Sequence, residues 1–180
     1  MNQFLTEEEQ TLIAKAIGVA EENTIAEIVV CISTTRCGKE GEDDRARVEK
    51  AVRLRAIREF ERLGIGSTRH SAGCIIFISP LDRYVTVRCD RLVSKRIGHD
   101  EWPKVVDFIT KGAKEGKHYK GVLQAVQRMG ERLAEHFPAD GEGVLNELPN
   151  AVVFSDGANI VDVAKADLKR FWRGVREYFS

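Results

Sequence analysis

The sequence predicts an α/β fold: a three-layer α/β/α sandwich around a central mixed β-sheet. Two runs rich in β-branched and aromatic residues flank Pro80-Leu81-Asp82 between residues 72 and 89, which indicates a β-hairpin. A near-continuous β-branched run over residues 26–34 is typical of a central strand buried on both faces. Amphipathic helices separate and follow these strands. Together the three observations favour a sheet that is covered by helices on each side.

The register of the hairpin follows from placing Leu81 and Asp82 in its loop. Side chains alternate along a strand, so one face of the hairpin becomes wholly apolar. That face collects Cys74, Ile76 and Ile78 from one arm and Cys89, Val87 and Val85 opposite them. The other face is mixed and pairs Ile75 with Arg88, Phe77 with Thr86 and Ser79 with Tyr84. Such a pair of faces suits a sheet with a helix layer on both sides.

A first helix and a first strand precede the hairpin. Thr6 and Glu9 have the spacing of a capping box, which predicts that the helix begins there. Apolar residues at helical spacing carry this helix to about residue 23. The strand over residues 26–34 follows and forms the first strand of the predicted sheet.

The second helix is predicted over residues 45–63, with Asp43 or Asp44 as its N-cap. Its apolar stripe consists of Val48, Val52, Leu54, Ala56, Phe60 and Leu63. A strand, a helix and a strand in this order predict a βαβ unit with a right-handed crossover. The second arm of the hairpin then adds an antiparallel neighbour, which makes the sheet mixed.

Helices predominate after the hairpin. A short helix is predicted over residues 90–97, and His99 or Asp100 should open the next helix. The expected buried side of that helix consists of Val105, Val106, Phe108 and Ile109. The clearest amphipathic pattern runs over residues 119–137 and ends before a proline.

The C-terminal part is predicted to hold a short hairpin and a final helix. Residues 151–154 and 159–163 flank Ser-Asp-Gly, which predicts a hairpin turn. Lys165–Phe179 is amphipathic, with Leu168, Phe171, Trp172, Val175 and Phe179 on one face. That face could dock a protein partner or pack on its own domain, and the pattern leaves both open.

Charge and composition exclude several classes of function. The 28 basic and 28 acidic residues balance, so no overall attraction to nucleic acid or membrane is expected. Arg45–Arg69 is locally basic, but the zero net charge and the lack of interleaved aromatic residues argue against nucleic-acid binding through Arg45–Arg62. The sequence shows no signal-peptide pattern and no apolar run of membrane-spanning length, which favours the cytoplasm.

The four cysteines predict no metal centre. Cys31, Cys37, Cys74 and Cys89 form no CxxC pair and no cluster with histidine, which argues against zinc. We expect free thiols in a cytoplasmic protein, with a Cys74–Cys89 disulfide as the alternative because the two residues face each other across the hairpin.

Two acidic regions are candidate cation sites, because carboxylate oxygens suit Ca²⁺ or Mg²⁺. The first follows the hairpin and consists of Asp90, Asp100 and Glu101, beside His99. The second is Asp82 at the hairpin tip with Asp43 and Asp44, beside Glu40 and Glu42. The second region lies at the carboxyl edge of the predicted sheet, where ligands of open α/β sheets bind. The alternative for both regions is helix capping and solvent exposure. No nucleotide-binding, hydrolase or metalloprotease motif is present.

The chain resembles the TPM domain family, in particular its soluble bacterial subgroup. The matching motifs are Leu5-Thr6-Glu7-Glu8-Glu9, Ala26-Glu27-Ile28-Val29-Val30, Phe60-Glu61-Arg62-Leu63-Gly64-Ile65, Ala72-Gly73-Cys74-Ile75-Ile76-Phe77-Ile78-Ser79 with Asp82-Arg83, Val93–Trp102, Tyr119–Phe137 with Pro138, and Asn146-Glu147-Leu148-Pro149. The resemblance implies residues 1–154 as the TPM-like domain and residues 155–180 as a C-terminal extension. It also implies an α/β/α sandwich and, in some members, acid phosphatase activity and calcium binding. Leu92 stands where a glycine is common in the family.

Two functions follow as hypotheses. The first is a non-catalytic or weakly catalytic domain that binds a divalent cation, a protein partner through Lys165–Phe179, or both. The second is a phosphatase dependent on a divalent cation, in which Asp90 with Asp100 or Glu101 would hold the ion. No catalytic group beyond these carboxylates is recognisable in the sequence, so we favour the binding domain.

Overall fold

The part of the chain that the structure describes contains a four-stranded mixed β-sheet. The structure is a computed structural model and describes residues 4–141 and 147–157. Within them the elements are α1 (Glu7–Glu21), β1 (Glu27–Ser33), α2 (Arg45–Arg62), a 3₁₀ turn (Ile65–Ser67), β2 (Gly73–Ser79), β3 (Tyr84–Cys89), α3 (Arg91–Ile97), α4 (Trp102–Lys114), α5 (His118–His136) and β4 (Val152–Ser155). β1 pairs in parallel with β2 and β4, while β2 pairs antiparallel with β3, so the strand order is β3-β2-β1-β4. The predicted mixed α/β sheet is confirmed.

The predicted hairpin register is also confirmed. Cys74 lies opposite Cys89, and the pairing continues through Ser79 opposite Tyr84. In the βαβ unit, Glu27 of β1 lies opposite Gly73 of β2, so both strands end at the same edge. The hairpin turn and the loop after β1 are therefore neighbours.

Helices cover both faces of the sheet, and β1 and β2 are therefore buried at all seven of their positions. One face packs against α1, α3, α4 and α5 and includes Ile28, Val30, Ile32, Ile76 and Ile78. The other packs against α2 and includes Val29, Cys31, Ile75 and Phe77. Alternating side chains thus divide each strand between two hydrophobic cores.

Local caps begin the first two helices as predicted. The Thr6 hydroxyl accepts a hydrogen bond from the Glu9 N–H at 3.2 Å, and the Glu9 carboxylate accepts one from the Thr6 N–H at 2.8 Å. Asp44 caps α2 by accepting from the N–H groups of Ala46 and Arg47. These caps satisfy donors that have no partner inside the helix.

The predicted C-terminal hairpin is wrong in the pairing of its first strand. Val152–Ser155 forms β4, but β4 pairs in parallel with β1 and extends the sheet at its far edge. A four-residue run carries no local signal for its partner, and the open edge of β1 determines the pairing. The predicted second arm at residues 159–163 and the Lys165–Phe179 helix lie outside the described residues.

Three smaller predictions about the helices were wrong. Helix α4 begins at Trp102, with Glu101 in the N-cap position, and not at His99 or Asp100. Its buried side includes Trp102, Val105 and Ile109. Val106 and Phe108 are only half-buried. Leu54, assigned to the apolar stripe of α2, is 45% exposed.

The expectation of four free thiols is wrong for one pair. Cys74 and Cys89 form a disulfide, because the hairpin register places them directly opposite each other. Cys31 and Cys37 are free. Within the described part of the chain, no helix has the length and apolar character needed to cross a membrane.

Helices α4 and α5 touch backbone to backbone through glycines. A Cβ atom on Gly121 would lie 2.7 Å from the carbonyl oxygen of Phe108 and 3.2 Å from the Cα atom of Gly112. Only hydrogen fits at this crossing, so the packing of α5 on α4 requires glycine at position 121.

We expect Gly121→Ala to destabilise the protein by about 2–3 kcal/mol, because the added methyl group forces the two helices apart. An alanine in an ordinary exposed helix site would instead stabilise by up to about 1 kcal/mol. Urea unfolding of Gly121→Ala, with the exposed Lys120→Ala as the control variant, measures the difference. An unchanged or raised stability of Gly121→Ala would contradict this packing.

Candidate functional site at the carboxyl edge of the sheet

A buried aspartate joins the hairpin turn to the loop that follows β1. Asp82 is 6% exposed, and its Oδ2 accepts hydrogen bonds from the Ser79 hydroxyl at 2.6 Å and the Cys37 N–H at 2.7 Å. Burial alone would raise the pKa of Asp82. The hydrogen bonds from Ser79 and from the N–H groups of Cys37 and Gly38 outweigh burial and lower that pKa below its usual value. Asp82 is therefore ionised and holds two segments together.

The first residue of α2 makes a second connection to the same turn. Arg45 donates from Nη1 to the carbonyl oxygen of Asp82 and from Nη2 to that of Arg83, both at 2.9 Å. Asp43 and Asp44 directly precede it, so the second predicted set of carboxylates lies on adjoining segments at one edge. Asp43 is exposed. Asp44 caps α2 and pairs with Arg47 at 3.2 Å.

The three carboxylates of the first predicted set have different surroundings. Asp90 occupies the N-cap position of α3 without a side-chain capping bond, and Asp100 is exposed. Glu101 binds three cationic groups: Lys104 Nζ at 2.7 Å, Arg128 Nη2 at 2.8 Å and Arg132 Nε at 3.4 Å. The hydrogen bond from Lys104 lowers the pKa of Glu101. Glu101 thus joins the start of α4 to α5, and its charge is already neutralised.

Neither set forms a finished cation cage. Among residues 4–141 and 147–157, no group of three or more His, Cys, Asp or Glu side chains is arranged to hold a metal ion. The first set has one exposed carboxylate, Asp100, and the second has two, Asp43 and Asp44. The sets also differ in paired charge, because Glu101 contacts three cationic groups whereas Asp44 pairs with Arg47.

A buried ionic cluster beneath this edge was not predicted. Glu59 of α2 is 2% exposed; its Oε1 accepts from the Ser155 hydroxyl at 2.7 Å and its Oε2 from Arg62 Nε at 2.7 Å. Arg55 Nε donates to the Ser155 Oγ at 3.0 Å. Arg55 Nη2 is buried and has no hydrogen-bond partner in the described structure. Ser155 lies 96 residues after Glu59, so no local pattern could have indicated the contact.

The opposite edge of the sheet holds two buried glutamates that sequence reasoning also missed. Glu21 and Glu27 are both 4% exposed. Glu21 Oε1 accepts from the Ile28 N–H at 2.6 Å, and Glu27 Oε1 accepts from the Glu147 N–H at 2.9 Å. Burial raises the pKa of Glu21 to about 9 and that of Glu27 to about 7, and the charge of Glu27 adds to the shift at Glu21. Glu21 is therefore protonated at neutral pH.

Comparison with known proteins assigns the family. A family model described as the TPM domain matches residues 1–132, and the chain belongs to the TPM domain family. The NMR structure of the BA42 protein from the psychrophilic bacterium Bizionia argentinensis is similar, with a TM-score of 0.71 and 26% sequence identity. That similarity covers 86% of this chain and 98% of the BA42 chain. A comparison with curated proteins gives no significant match.

We expect Glu21 to make the protein less stable as the pH rises from about 5 to about 9. The folded state keeps a proton on Glu21 in this range, whereas the unfolded chain has already lost it, so alkali favours unfolding. The neutral Glu21→Gln variant should match the wild type near pH 5 and exceed its stability by about 2 kcal/mol or more near pH 9.

Denaturant unfolding at several pH values tests this expectation. Glu22→Gln removes an exposed carboxylate at the neighbouring position and serves as the control. Stability curves for Glu21→Gln and wild type that stay parallel between pH 5 and pH 9 would rule out a protonated Glu21.

Proposed function

We propose that the chain is a binding domain of the TPM family that takes a divalent cation, Ca²⁺ or Mg²⁺, at the carboxyl edge of its sheet, and that it is at most weakly catalytic. The observation that carries the proposal is the tether formed by Asp82. By bonding Ser79 and Cys37, Asp82 keeps the loop after β1 against the hairpin turn. That loop ends in Asp43 and Asp44.

The carboxylates of Asp43, Asp44 and Asp82 would hold the ion. All three offer oxygen ligands of the kind that Ca²⁺ and Mg²⁺ prefer. Asp43 and Asp44 are exposed, so a cation can reach them from solvent. The first set, Asp90, Asp100 and Glu101, is the less favourable site because Glu101 already pairs with Lys104, Arg128 and Arg132.

The alternative function is hydrolysis of a phosphomonoester, which the family resemblance implies. One observation supports it: Arg55, whose side chain is 12% exposed, lies near this edge of the sheet, next to Ser155 at the end of β4. Its Nη2 has no hydrogen-bond partner within the described residues, and a guanidinium group binds phosphate well. A partner surface on Lys165–Phe179 and a cytoplasmic location stay predictions of the sequence.

Removing the two loop charges should weaken cation binding. We expect the Asp43→Asn/Asp44→Asn variant to bind Ca²⁺ about tenfold more weakly than wild type in isothermal titration calorimetry. Asparagine caps helices as well as aspartate does, so α2 should keep its start and the melting temperature should change little.

Asp100→Asn is the matched control, since it removes an exposed charge from the first set and should leave Ca²⁺ affinity unchanged. The proposed site is wrong when wild type shows no Ca²⁺ binding, or when Asp100→Asn weakens binding and the double variant does not.

Hydrolysis of p-nitrophenyl phosphate, measured with and without Ca²⁺, separates the two functions. For a binding domain we expect turnover within about tenfold of the buffer rate. Faster turnover that requires Ca²⁺ and falls in Arg55→Lys, but not in the exposed control Arg58→Lys, would establish the phosphatase. Asp90→Asn in the same assay tests whether Asp90 holds the catalytic ion.

A further inference from the structure

The third strand offers an unpaired backbone edge. Among residues 4–141 and 147–157, β3 is the terminal strand of the sheet, and β2 is the one strand that pairs with it. In an antiparallel ladder, alternate residues direct their N–H and C=O groups to the same neighbour. The Asp90 N–H donates to the Gly73 carbonyl at 2.8 Å, which fixes the alternation. Tyr84, Thr86 and Arg88 therefore bond β2, whereas Val85, Val87 and Cys89 direct their backbone groups outward.

A second distance supports this assignment. The Cα atoms of Cys74 and Cys89 are 4.1 Å apart, as expected for a pair that does not exchange backbone hydrogen bonds. In the described part of the chain, no backbone or side-chain group bonds the outward N–H and C=O groups of Val85 and Val87. Such an edge is a template for another strand.

Arginines line this edge on the side of α2. The guanidinium carbon of Arg45 lies 5.1 Å from the centre of the Tyr84 ring, and Arg53 donates to the Tyr84 hydroxyl at 3.0 Å. Arg88 lies over the Phe60 ring at 5.4 Å and is exposed. Arg83, in the turn, is also exposed. Within the described residues, the carboxylate that pairs with one of these four arginines is that of Glu49, 3.7 Å from Arg45, so positive charge exceeds negative charge here.

We propose that β3 binds an extended acidic segment of a partner protein, which adds to the sheet as a fifth strand. The outward groups of Val85 and Val87 supply backbone hydrogen bonds, and the arginines attract carboxylates on alternate residues of the segment. The bound segment would lie along the outer side of β3, whereas the proposed cation site lies at the carboxyl edge; the two regions meet at the hairpin turn, where Arg45 bonds the carbonyl oxygens of Asp82 and Arg83.

A second copy of this chain fits the same edge less well. Pairing β3 with β3 would bring the Arg83 and Arg88 side chains of both copies onto one short ribbon. Like charges opposite each other destabilise a strand pair. Charge complementarity therefore selects an acidic partner over self-association.

A blocked seven-residue peptide of alternating glutamate and valine is the probe. We expect it to slow hydrogen exchange of the Val85 and Val87 amides about tenfold or more at saturation, because they gain hydrogen-bond partners. The amides of Thr86 and Arg88 should not change, since β2 already protects them. The same peptide with lysine in place of glutamate should bind about tenfold more weakly or not at all.

Two variants test the role of charge. The Arg83→Glu/Arg88→Glu variant should bind the glutamate peptide about tenfold more weakly than wild type. Lys114→Glu/Lys120→Glu, which changes the net charge equally on exposed positions of other elements, should leave its affinity unchanged. Three results would each overturn the proposal. The glutamate peptide could bind without protecting the Val85 and Val87 amides, or the lysine peptide could bind equally well. A dimer of the free protein could also protect these amides already.

Discussion

The burial of β1 and β2 on both faces is the constraint on which the structure depends. All seven residues of each strand are removed from solvent, so a helix layer has to cover each side of the sheet. The βαβ crossover through α2 fills one layer, and α1, α3, α4 and α5 fill the other. Because β1 and β2 are parallel, their carboxyl ends share one edge, and the hairpin turn and the loop after β1 meet there.

The two edges of this sheet hold buried carboxylates whose pKa values shift in opposite directions. At the carboxyl edge, Asp82 keeps its charge because a hydroxyl and two backbone N–H groups bond it. At the amino edge, Glu21 and Glu27 receive fewer such bonds relative to their burial, and their pKa values rise. The first arrangement holds the loop after β1 against the hairpin turn, whereas the second keeps a proton inside the fold. The same residue chemistry therefore serves different purposes at the two ends of β1.

Short-range patterns in the sequence predicted most of the fold. The capping box at Thr6, the N-cap at Asp44 and the register of Cys74 opposite Cys89 each depend on residues near one another in the chain. Contacts between distant segments could not be predicted. Glu101 is neutralised by Arg128 and Arg132 on another helix, and β4 joins the sheet beside β1. The carboxylates of the two candidate sets were therefore recognised in the sequence without their partners, whereas the buried Glu21, Glu27 and Glu59 were missed because their burial depends on distant segments.

The central functional claim is that the loop after β1 and the hairpin turn form one cation-binding edge. A titration of ¹⁵N-labelled protein with Ca²⁺, followed by two-dimensional NMR, tests it most directly. We predict that amide shifts move in a saturable way at residues 34–44 and 80–83, while residues 90–101 stay unchanged. Shifts confined to residues 90–101, or no saturable shift at any amide, would contradict the account.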